Sequence, residues 1–253
     1  MKITFLGTGT SSGIPLLTCH CKVCKSTDLK DKRLRSSIFI EVGGLNILVD
    51  IGPDFRQQML KENIQKIDGI LITHAHHDHV ASLDEIRAYN FSSKKAMNLY
   101  ANEIAESELR KHFDYIFREN KYKGVASVNL LPIRKEKINI GDVEITPIEV
   151  LHDKLPVAAF RIKDFAYVTD IKTITAEEFE KLKGVQILIV SALRHTEHYS
   201  HFTFEDAIAF AQKLGVKRAY LTHLSHLSGK HEEVSKILPA NISIAYDGLK
   251  ILV

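Results

Sequence analysis

The chain has 253 residues, of which 45% are hydrophobic and 26% are charged. This length and apolar content allow a large buried core, and no apolar run approaches the roughly 20 residues that a transmembrane helix needs. The net charge of +3 is too small to indicate nucleic-acid binding by itself. We therefore expect neither a membrane nor a nucleic acid as a partner.

Strand-like and helix-like segments alternate along the chain, which predicts an α/β fold. Leu45–Val49 and Phe165–Thr169 are strand-like runs, whereas Thr203–Leu214 has a helical pattern. No linker, repeat or low-complexity tract interrupts the chain, so we predict a single domain over residues 1–253. Met1–Leu6 enters a strand directly and lacks a signal-peptide pattern, which predicts a cytoplasmic protein. Four aromatic residues are interpreted as part of the core: Tyr89, Phe91, Tyr115 and Phe117.

A glycine-rich segment, Gly7–Gly13, follows the first strand. It lacks the lysine of a P-loop and does not match G-x-G-x-x-G, so we interpret it as a tight turn whose amides could face a site. A basic run follows at Lys30, Lys32, Arg33 and Arg35. Such a run usually forms a solvated surface. The alternative is that Arg33 or Arg35 reaches a phosphate of the substrate.

The three cysteines of the chain, Cys19, Cys21 and Cys24, form one short cluster. An odd number at this spacing makes a poor disulfide framework. Three thiolates on one loop instead suit a structural Zn²⁺, which takes four tetrahedral ligands. His226 is the predicted fourth ligand, with His20 and His231 as alternatives. The other interpretation is that the three cysteines are free thiols.

The strand-like run Ile70–Ile72 leads to four candidate metal ligands within six residues. His74, His76, Asp78 and His79 form an H-x-H-x-D-H motif. Imidazole nitrogens with a carboxylate oxygen suit Zn²⁺ or a similar divalent cation, and the spacing allows two neighbouring ions. The alternative is a solvated histidine-rich loop.

Further candidate residues lie at the ends of other strand-like runs. His152 follows an alternating run, and Asp170 and His223 follow two later runs. Each of these positions is weak evidence alone, because a histidine at a strand end is commonly structural. Asp50 also ends a strand-like run, where one alternative is a turn or helix-capping carboxylate.

The motif and the later strand ends together resemble the metal-binding pattern of the metallo-β-lactamase superfamily, over the whole length of the chain. This resemblance implies a four-layer αββα sandwich with the metals at one edge between the sheets. It also implies a ligand set: His74, His76 and His152 for one metal, Asp78, His79 and His223 for the other, and Asp170 bridging. Asp50 would then orient ligand imidazoles through a hydrogen bond.

A C-x-C-x2-C element after a glycine-rich loop narrows the resemblance to the branch of PhnP-type cyclic phosphate phosphodiesterases. In that branch, such cysteines and a downstream histidine bind a structural zinc. The resemblance therefore implies that the cysteine cluster and His226 cross-link the N-terminal loop to the C-terminal region. It also implies a catalytic histidine, which aligns best with His201 and next with His198, and it suggests a homodimer.

We therefore predict a dinuclear metal-dependent phosphodiesterase that acts on small, cyclic phosphodiesters. Hydroxide generated at the metals would attack phosphorus, with His201 as general acid and with Asp78 and Asp50 in the catalytic machinery. The active-site cations could be Zn²⁺, Mn²⁺ or Fe²⁺, because mixed histidine and aspartate ligation suits all three. The alternatives are a transfer-RNA 3′-processing endonuclease, a thioester or lactone hydrolase, and a non-catalytic metal-stabilised binding protein.

Overall fold

A computed structural model describes all 253 residues of the chain. The strands are β1 (Lys2–Gly7), β2 (Ser37–Val42), β3 (Leu45–Val49), β4 (Gly69–Leu71), β5 (Met97–Ala101), β6 (Val128–Pro132), β7 (Ile138–Ile140), β8 (Val143–His152), β9 (Leu155–Ile162), β10 (Phe165–Val168), β11 (Ile187–Ser191), β12 (Arg218–Thr222), β13 (Ile242–Ile244) and β14 (Lys250–Leu252). They form two seven-stranded sheets, in the orders β14-β1-β2-β3-β4-β5-β6 and β13-β12-β11-β10-β9-β8-β7.

Short helices cover the outer faces of both sheets. The helices are α1 (Phe55–Lys61), α2 (His77–Val80), α3 (Arg87–Ser93), α4 (Glu103–His112), α5 (Asp114–Phe117), α6 (Ala176–Glu180), α7 (Phe204–Leu214) and α8 (His231–Ser235), with 3₁₀ turns at Leu29–Asp31 and Leu83–Ile86. Buried residues of α1, α2, α4 and α5 pack on the first sheet, and those of α6, α7 and α8 pack on the second.

The alternation of side chains along the strands creates three layers of buried residues. In β2, Ile38 and Ile40 point into the space between the sheets, whereas Phe39 points to the outer helices. The layer between the sheets contains 23 buried residues, and the two outer layers contain 19 and 24. The order is therefore helix, sheet, sheet, helix, which confirms the predicted αββα sandwich.

Parallel strands bring distant segments to one edge of the sandwich. Strands β3, β4 and β5 are parallel in the first sheet, and β10, β11 and β12 are parallel in the second. Asp50, Asp170 and His223 follow β3, β10 and β12, and their φ angles are 64°, 52° and 57°. This left-handed conformation is uncommon for residues other than glycine and clusters at functional sites. The carboxyl edge of the strands is therefore the natural place for a site.

Helix α7 begins with a capping box that ends the preceding loop. The hydroxyl oxygen of Thr203 accepts a hydrogen bond from the Asp206 amide (3.1 Å), and the Asp206 carboxylate accepts one from the Thr203 amide (3.0 Å). Gly215 ends the helix with a φ of 67°. The predicted helix is confirmed, with Thr203 as its cap, two residues after His201.

The interpretation of the four aromatic residues as core is wrong for one of them. Phe91 is 57% exposed, because it lies on the outer side of α3. Tyr89, Tyr115 and Phe117 do pack against the buried layer beneath the outer helices. No helix in the structure combines the length and the apolar character that crossing a bilayer requires.

Candidate dinuclear metal centre

The first predicted ligand group converges at the carboxyl edge of the strands. Nε2 of His74 lies 2.9 Å from Nδ1 of His76. The ring centre of His152 lies 5.2 Å from that of His76 and 5.8 Å from that of His74. Nδ1 of His152 is 2.8 Å from the carbonyl oxygen of Ser200, so it donates there and leaves Nε2 available. The three imidazoles therefore lie side by side, and the ligand atoms of His152 also lie within 4.8 Å of those of Asp170 and His201.

The second predicted ligand group lies next to the first. The candidate ligand atoms of Asp78, His79 and His223 lie within 4.8 Å of one another, and those of His74, His79 and Asp170 do so too. Asp170 Oδ2 is 3.4 Å from Nε2 of His79, and its Oδ1 is 3.2 Å from Nε2 of His223. Candidate ligand atoms of His74 and His152, from the first group, also lie within 4.8 Å of the Asp170 carboxylate, so Asp170 lies between the two groups.

Asp50 is fully buried behind the ligands. Its carboxylate accepts hydrogen bonds from Nδ1 of His79 (2.7 Å) and from the amide and hydroxyl of Thr73 (both 2.9 Å). The Thr73 hydroxyl lies 3.1 Å from Nδ1 of His74. Because this hydroxyl donates its hydrogen to Asp50, Nδ1 of His74 is the donor in that contact. Asp50 thus orients His79 directly and His74 through Thr73, leaving both Nε2 atoms for cations.

The electrostatics of the site fit divalent cations. Burial raises the pKa of Asp50 and lowers the pKa of His74 well below its ordinary value. Burial opposes ionisation of Asp170, but His223, His79 and His74 hold its pKa well below the usual range. Burial opposes a charge on His79 too, yet the carboxylates around it raise its pKa well above the usual value. Nε2 of His79 has no hydrogen-bond partner in this negative environment. Nitrogen and carboxylate donors so arranged suit Zn²⁺ or Mn²⁺.

The loop between β11 and α7 brings two histidines to different distances from the ligands. Nδ1 of His201 is 3.6 Å from Oδ1 of Asp170, and its ring centre is 4.4 Å from that of His152. The ring of His198 lies farther out, 5.1 Å from that of His201, with Nδ1 3.2 Å from the hydroxyl of Ser200. Burial lowers the pKa of His201 to about 3. Of the two histidines, His201 lies against the ligands.

The cysteine loop meets the C-terminal region at a second candidate metal site. Its four candidate ligand atoms, which lie within 4.8 Å of one another, belong to Cys19, Cys21, Cys24 and His226. Nδ1 of His226 is 3.3 Å from the sulfur of Cys19 and 3.5 Å from that of Cys21. Burial opposes ionisation of Cys21, but hydrogen bonds from the Cys24 amide and His226 lower its pKa to about 6. His20 and His231 lie outside this cluster. The donor set fits a tetrahedral Zn²⁺.

The glycine-rich turn lies beside His223, but two of its amides are already bonded. The amides of Gly9 and Thr10 donate to backbone carbonyls of neighbouring segments at 2.8 and 3.0 Å. Gly7 has no room for a side chain, because a Cβ would lie 1.9 Å from the carbonyl oxygen of Arg35. The hydroxyl of Thr10 lies 3.0 Å from Nε2 of His223. This turn therefore contributes a side chain to the site, and these two amides face the protein.

The interpretation of the basic run as a solvated surface is wrong at Arg33. Arg33 is 3% exposed, and its Nη1 donates to the hydroxyl of Thr8 (2.8 Å) and to the carbonyl of Ala245. Burial lowers the pKa of its guanidinium to about 10. Arg33 is thus a core residue that cannot contact a substrate phosphate. The side chain of Arg35, in contrast, is 30% exposed.

The residues that orient the ligands were not predicted from the sequence: Thr10, Ser36, Thr73, Thr169 and Ser200. The hydroxyl of Ser36 is 3.2 Å from Nδ1 of His223, and that of Thr169 donates to Asp170 at 2.6 Å. One signal was available, because threonine directly precedes three of the ligands, in Thr73-His74, Thr169-Asp170 and Thr222-His223. Nothing in the local sequence marks Ser36, Thr10 or the carbonyl of Ser200.

Several known proteins are similar to this chain. The profile of the beta-lactamase superfamily domain matches residues 45–224. A solved structure of a diphosphatase from the PhnP family superimposes with a TM-score of 0.93 at 39% identity, covering 100% of this chain and 97% of that chain. The short form of human tRNase Z has the same fold, with a TM-score of 0.72 at 18% identity, covering 100% of this chain and 99% of that chain.

A second relative has the same identity to this chain as the diphosphatase does, but it is a longer protein. An octanoyltransferase from Porphyromonas gingivalis is 39% identical over 256 residues, which covers 100% of this chain and 52% of the relative. The chain therefore spans about half the length of that protein. The name octanoyltransferase belongs to the whole relative, and this chain matches only about half of it.

Proposed function

This chain belongs to the PhnP family of the metallo-β-lactamase superfamily, and on that basis we propose that it is a dinuclear phosphodiesterase for small phosphodiesters, including cyclic ones. Membership of this family identifies a metal-dependent hydrolase, whereas the substrate and the number of metals are our proposal. The observation that carries the proposal is that Asp170 lies within 4.8 Å of candidate ligand atoms from both groups, beside a buried Nε2 of His79 that makes no hydrogen bond. The similar diphosphatase supports a phosphorus substrate.

The candidate residues would have different roles in the site. His74, His76 and His152 would hold one Zn²⁺ or Mn²⁺, and Asp78, His79 and His223 the other, with Asp170 between them. Two such cations, when bound, supply a nucleophile at neutral pH and offset negative charge at phosphorus. Asp50 keeps His79 in the ligating tautomer. The cysteine cluster and His226 would hold a structural Zn²⁺.

His201 is our proposed general acid for the leaving oxygen. Its ring lies beside His152 and Asp170 and is one-tenth exposed, so it can approach a substrate bound at the metals. The negative charge of a phosphodiester would raise its pKa and favour proton uptake. A general acid in this position would increase the rate about 10²- to 10⁴-fold.

The first experiment is a substrate panel with the protein loaded separately with Mn²⁺ and with Zn²⁺. The panel contains an aryl phosphodiester, cyclic nucleotides, a ribosyl cyclic phosphate and an octanoyl thioester. We expect turnover of phosphodiesters that collapses in His76→Ala and persists in His77→Ala, a neighbouring exposed histidine. Inert phosphodiesters, with both metals bound, would contradict the proposal.

The role of His201 needs a separate variant. His201→Ala should retain both active-site metals, measured by elemental analysis, and should lose turnover mainly on substrates with poor leaving groups. His198→Ala is the matched control from the same loop and should lose less. Loss of a metal in His201→Ala would make His201 a ligand, and unchanged turnover would reject any catalytic role.

An acyl thioester hydrolase is the second candidate, favoured by the full-length match to half of an octanoyltransferase. A metal-activated nucleophile attacks carbonyl carbon as well as phosphorus. A cavity of about 550 Å³ is lined by apolar residues and by polar or charged residues in equal number, and it includes none of the proposed ligands. An octanoyl chain in this cavity would therefore not be held by the residues of the proposed metal site. Turnover of the octanoyl thioester alone would favour this candidate.

Other expectations from the sequence stay predictions. The fold shared with human tRNase Z leaves the endonuclease alternative open, because a fold does not identify a substrate. A non-catalytic binding protein would show bound metals without turnover of any substrate. The homodimer, the single-domain organisation and the cytoplasmic location are likewise proposals, and light scattering would test the first of them.

A further inference from the structure

Thr10 contacts a proposed ligand at the nitrogen that would bind a cation. Its hydroxyl oxygen lies 3.0 Å from Nε2 of His223. The hydroxyl of Ser36 lies at the other side of the same ring, 3.2 Å from Nδ1. Ser36 therefore supports the imidazole from behind, whereas the hydroxyl of Thr10 faces the proposed position of the second cation.

The hydrogen atoms around His223 determine what the Thr10 hydroxyl donates to. Ser36 lies 2.9 Å from the carbonyl oxygen of Gly9, which carries no hydrogen, so Ser36 donates there and accepts from Nδ1 of His223. In the neutral imidazole, Nε2 is then the acceptor, and the Thr10 hydroxyl donates to it. A cation bound at Nε2 would use this lone pair. The Thr10 hydroxyl would then need another acceptor close to the cation.

The backbone of Thr10 is bonded to the segment that carries the ligand. The Thr10 amide donates to the carbonyl oxygen of Leu224, the residue after His223, at 3.0 Å, and the Thr10 carbonyl accepts from the Gly13 amide at 2.9 Å. The residue is 7% exposed. Because a buried hydroxyl without a partner costs free energy, this one favours an acceptor inside the loaded site.

Two kinds of acceptor would lie near Nε2 of His223 in the loaded site. One is Asp170, whose Oδ1 is 3.2 Å from this nitrogen and whose Oδ2 already accepts from Thr169 at 2.6 Å. The carboxylate oxygens of Asp170 would thus be used by the cations and by Thr169. The other acceptor is an oxygen of the substrate, on which negative charge builds during attack at phosphorus. The substrate oxygen is therefore the acceptor that remains free.

We propose that Thr10 donates its hydroxyl hydrogen to a non-bridging phosphoryl oxygen of the bound phosphodiester. This inference rests on the proposed phosphodiesterase function and adds a residue that touches the substrate. The hydrogen stays on Thr10 throughout, and the hydrogen bond strengthens as charge builds on the phosphoryl oxygen. Thr10 would thus stabilise the transition state more than the ground state.

Phosphorothioate substrates test this contact, because sulfur accepts hydrogen bonds weakly. The substrates are p-nitrophenyl thymidine phosphate and the Rp and Sp isomers of its phosphorothioate. In Thr10→Val, we expect kcat/KM for the phosphate to fall about 10- to 100-fold. The loss of rate caused by sulfur should become smaller for one isomer and stay unchanged for the other.

Two variants serve as controls for the loss of the hydroxyl. Thr10→Ser keeps a hydroxyl at the same position and should recover most of the activity. Ser12→Ala removes a hydroxyl from the same turn and should match the wild type, because the Ser12 hydroxyl donates to the Gly13 carbonyl at 3.4 Å.

Cation binding is the second readout. Competition against a fluorescent chelator should give Thr10→Val the wild-type affinity for both active-site cations, because the hydroxyl is not a proposed ligand. Weaker binding of the second cation would show that Thr10 acts through His223 and would overturn the inference. A sulfur effect that is unchanged for both isomers would also overturn it while leaving the phosphodiesterase standing. Inert wild-type protein with both metals bound would instead reject the proposed function and this inference with it.

Discussion

Replacing Asp50 with asparagine should weaken cation binding without removing any ligand. The carboxylate accepts a 2.7 Å hydrogen bond from Nδ1 of His79 and two from Thr73. An asparagine can still accept from the Thr73 amide, but its NH₂ group would then face the N–H of His79. His79 would have to turn or to move its proton to Nε2, the atom that the cation needs.

The expected magnitude follows from losing one hydrogen bond to a charged group. Such a bond contributes about 1.5 to 3 kcal/mol, which corresponds to an affinity roughly 10- to 100-fold weaker. Outer ligand partners of this type typically have effects of that size. The same substitution should also lower the thermal stability of the metal-free protein, because the buried N–H of His79 would be left without an acceptor.

Competition against a fluorescent chelator would measure the zinc affinity of the second active-site cation. Asp142→Asn, at an exposed turn between β7 and β8, is the matched control and should bind both cations like the wild type. An Asp50→Asn variant whose affinity lies within about twofold of the wild type would refute the orienting role of Asp50. A thermal melt of the variant and the wild type in EDTA would show whether both metal-free proteins are folded under the conditions of the affinity measurement.

Three further predictions test the structure away from Asp50. Cys21→Ser should lose one equivalent of zinc by elemental analysis and should melt at a lower temperature, because a structural metal contributes to folding, while His20→Ala should change neither. Phe160→Ala, in the layer between the sheets, should lower the free energy of unfolding in urea by about 3 to 5 kcal/mol, whereas Phe91→Ala should change it by less than about 0.5 kcal/mol. Burial raises the pKa of Asp247 to about 6, above that of an unfolded carboxyl. The folded state therefore binds this proton more tightly. The stability of the wild type relative to Asp247→Asn should rise as pH falls from 6 toward about 4, and a flat difference in urea unfolding would count against it.

Much of the fold and the first four candidate ligands could be predicted because these features have local signatures, whereas the rest of the candidate ligand set came from the resemblance to the superfamily. The alternation in Val143–Val150 and the helical pattern before Gly215 each depend on neighbours a few residues apart. The H-x-H-x-D-H motif is also local, and the loop after β4 delivers it to the carboxyl edge as predicted. Phe91 shows the limit of such arguments. An aromatic residue predicts burial only on average, and its position on the outer side of α3 depends on which face of that helix meets the sheet.

The remaining features of the site depend on contacts between segments that are distant in the chain. Ser36 is 187 residues from His223, and Cys19 is 207 residues from His226, yet each pair lies in contact. Sequence spacing ranked His226 above His20 and His231, and the family resemblance placed His201 ahead of His198. Only the folded chain gives the distances between these side chains and their partners. Arg33 is buried and Arg35 is partly exposed although they are only two residues apart. This difference also depends on contacts between distant segments. Local pattern encodes the type of each element, whereas the packing of the two sheets decides which side chains meet.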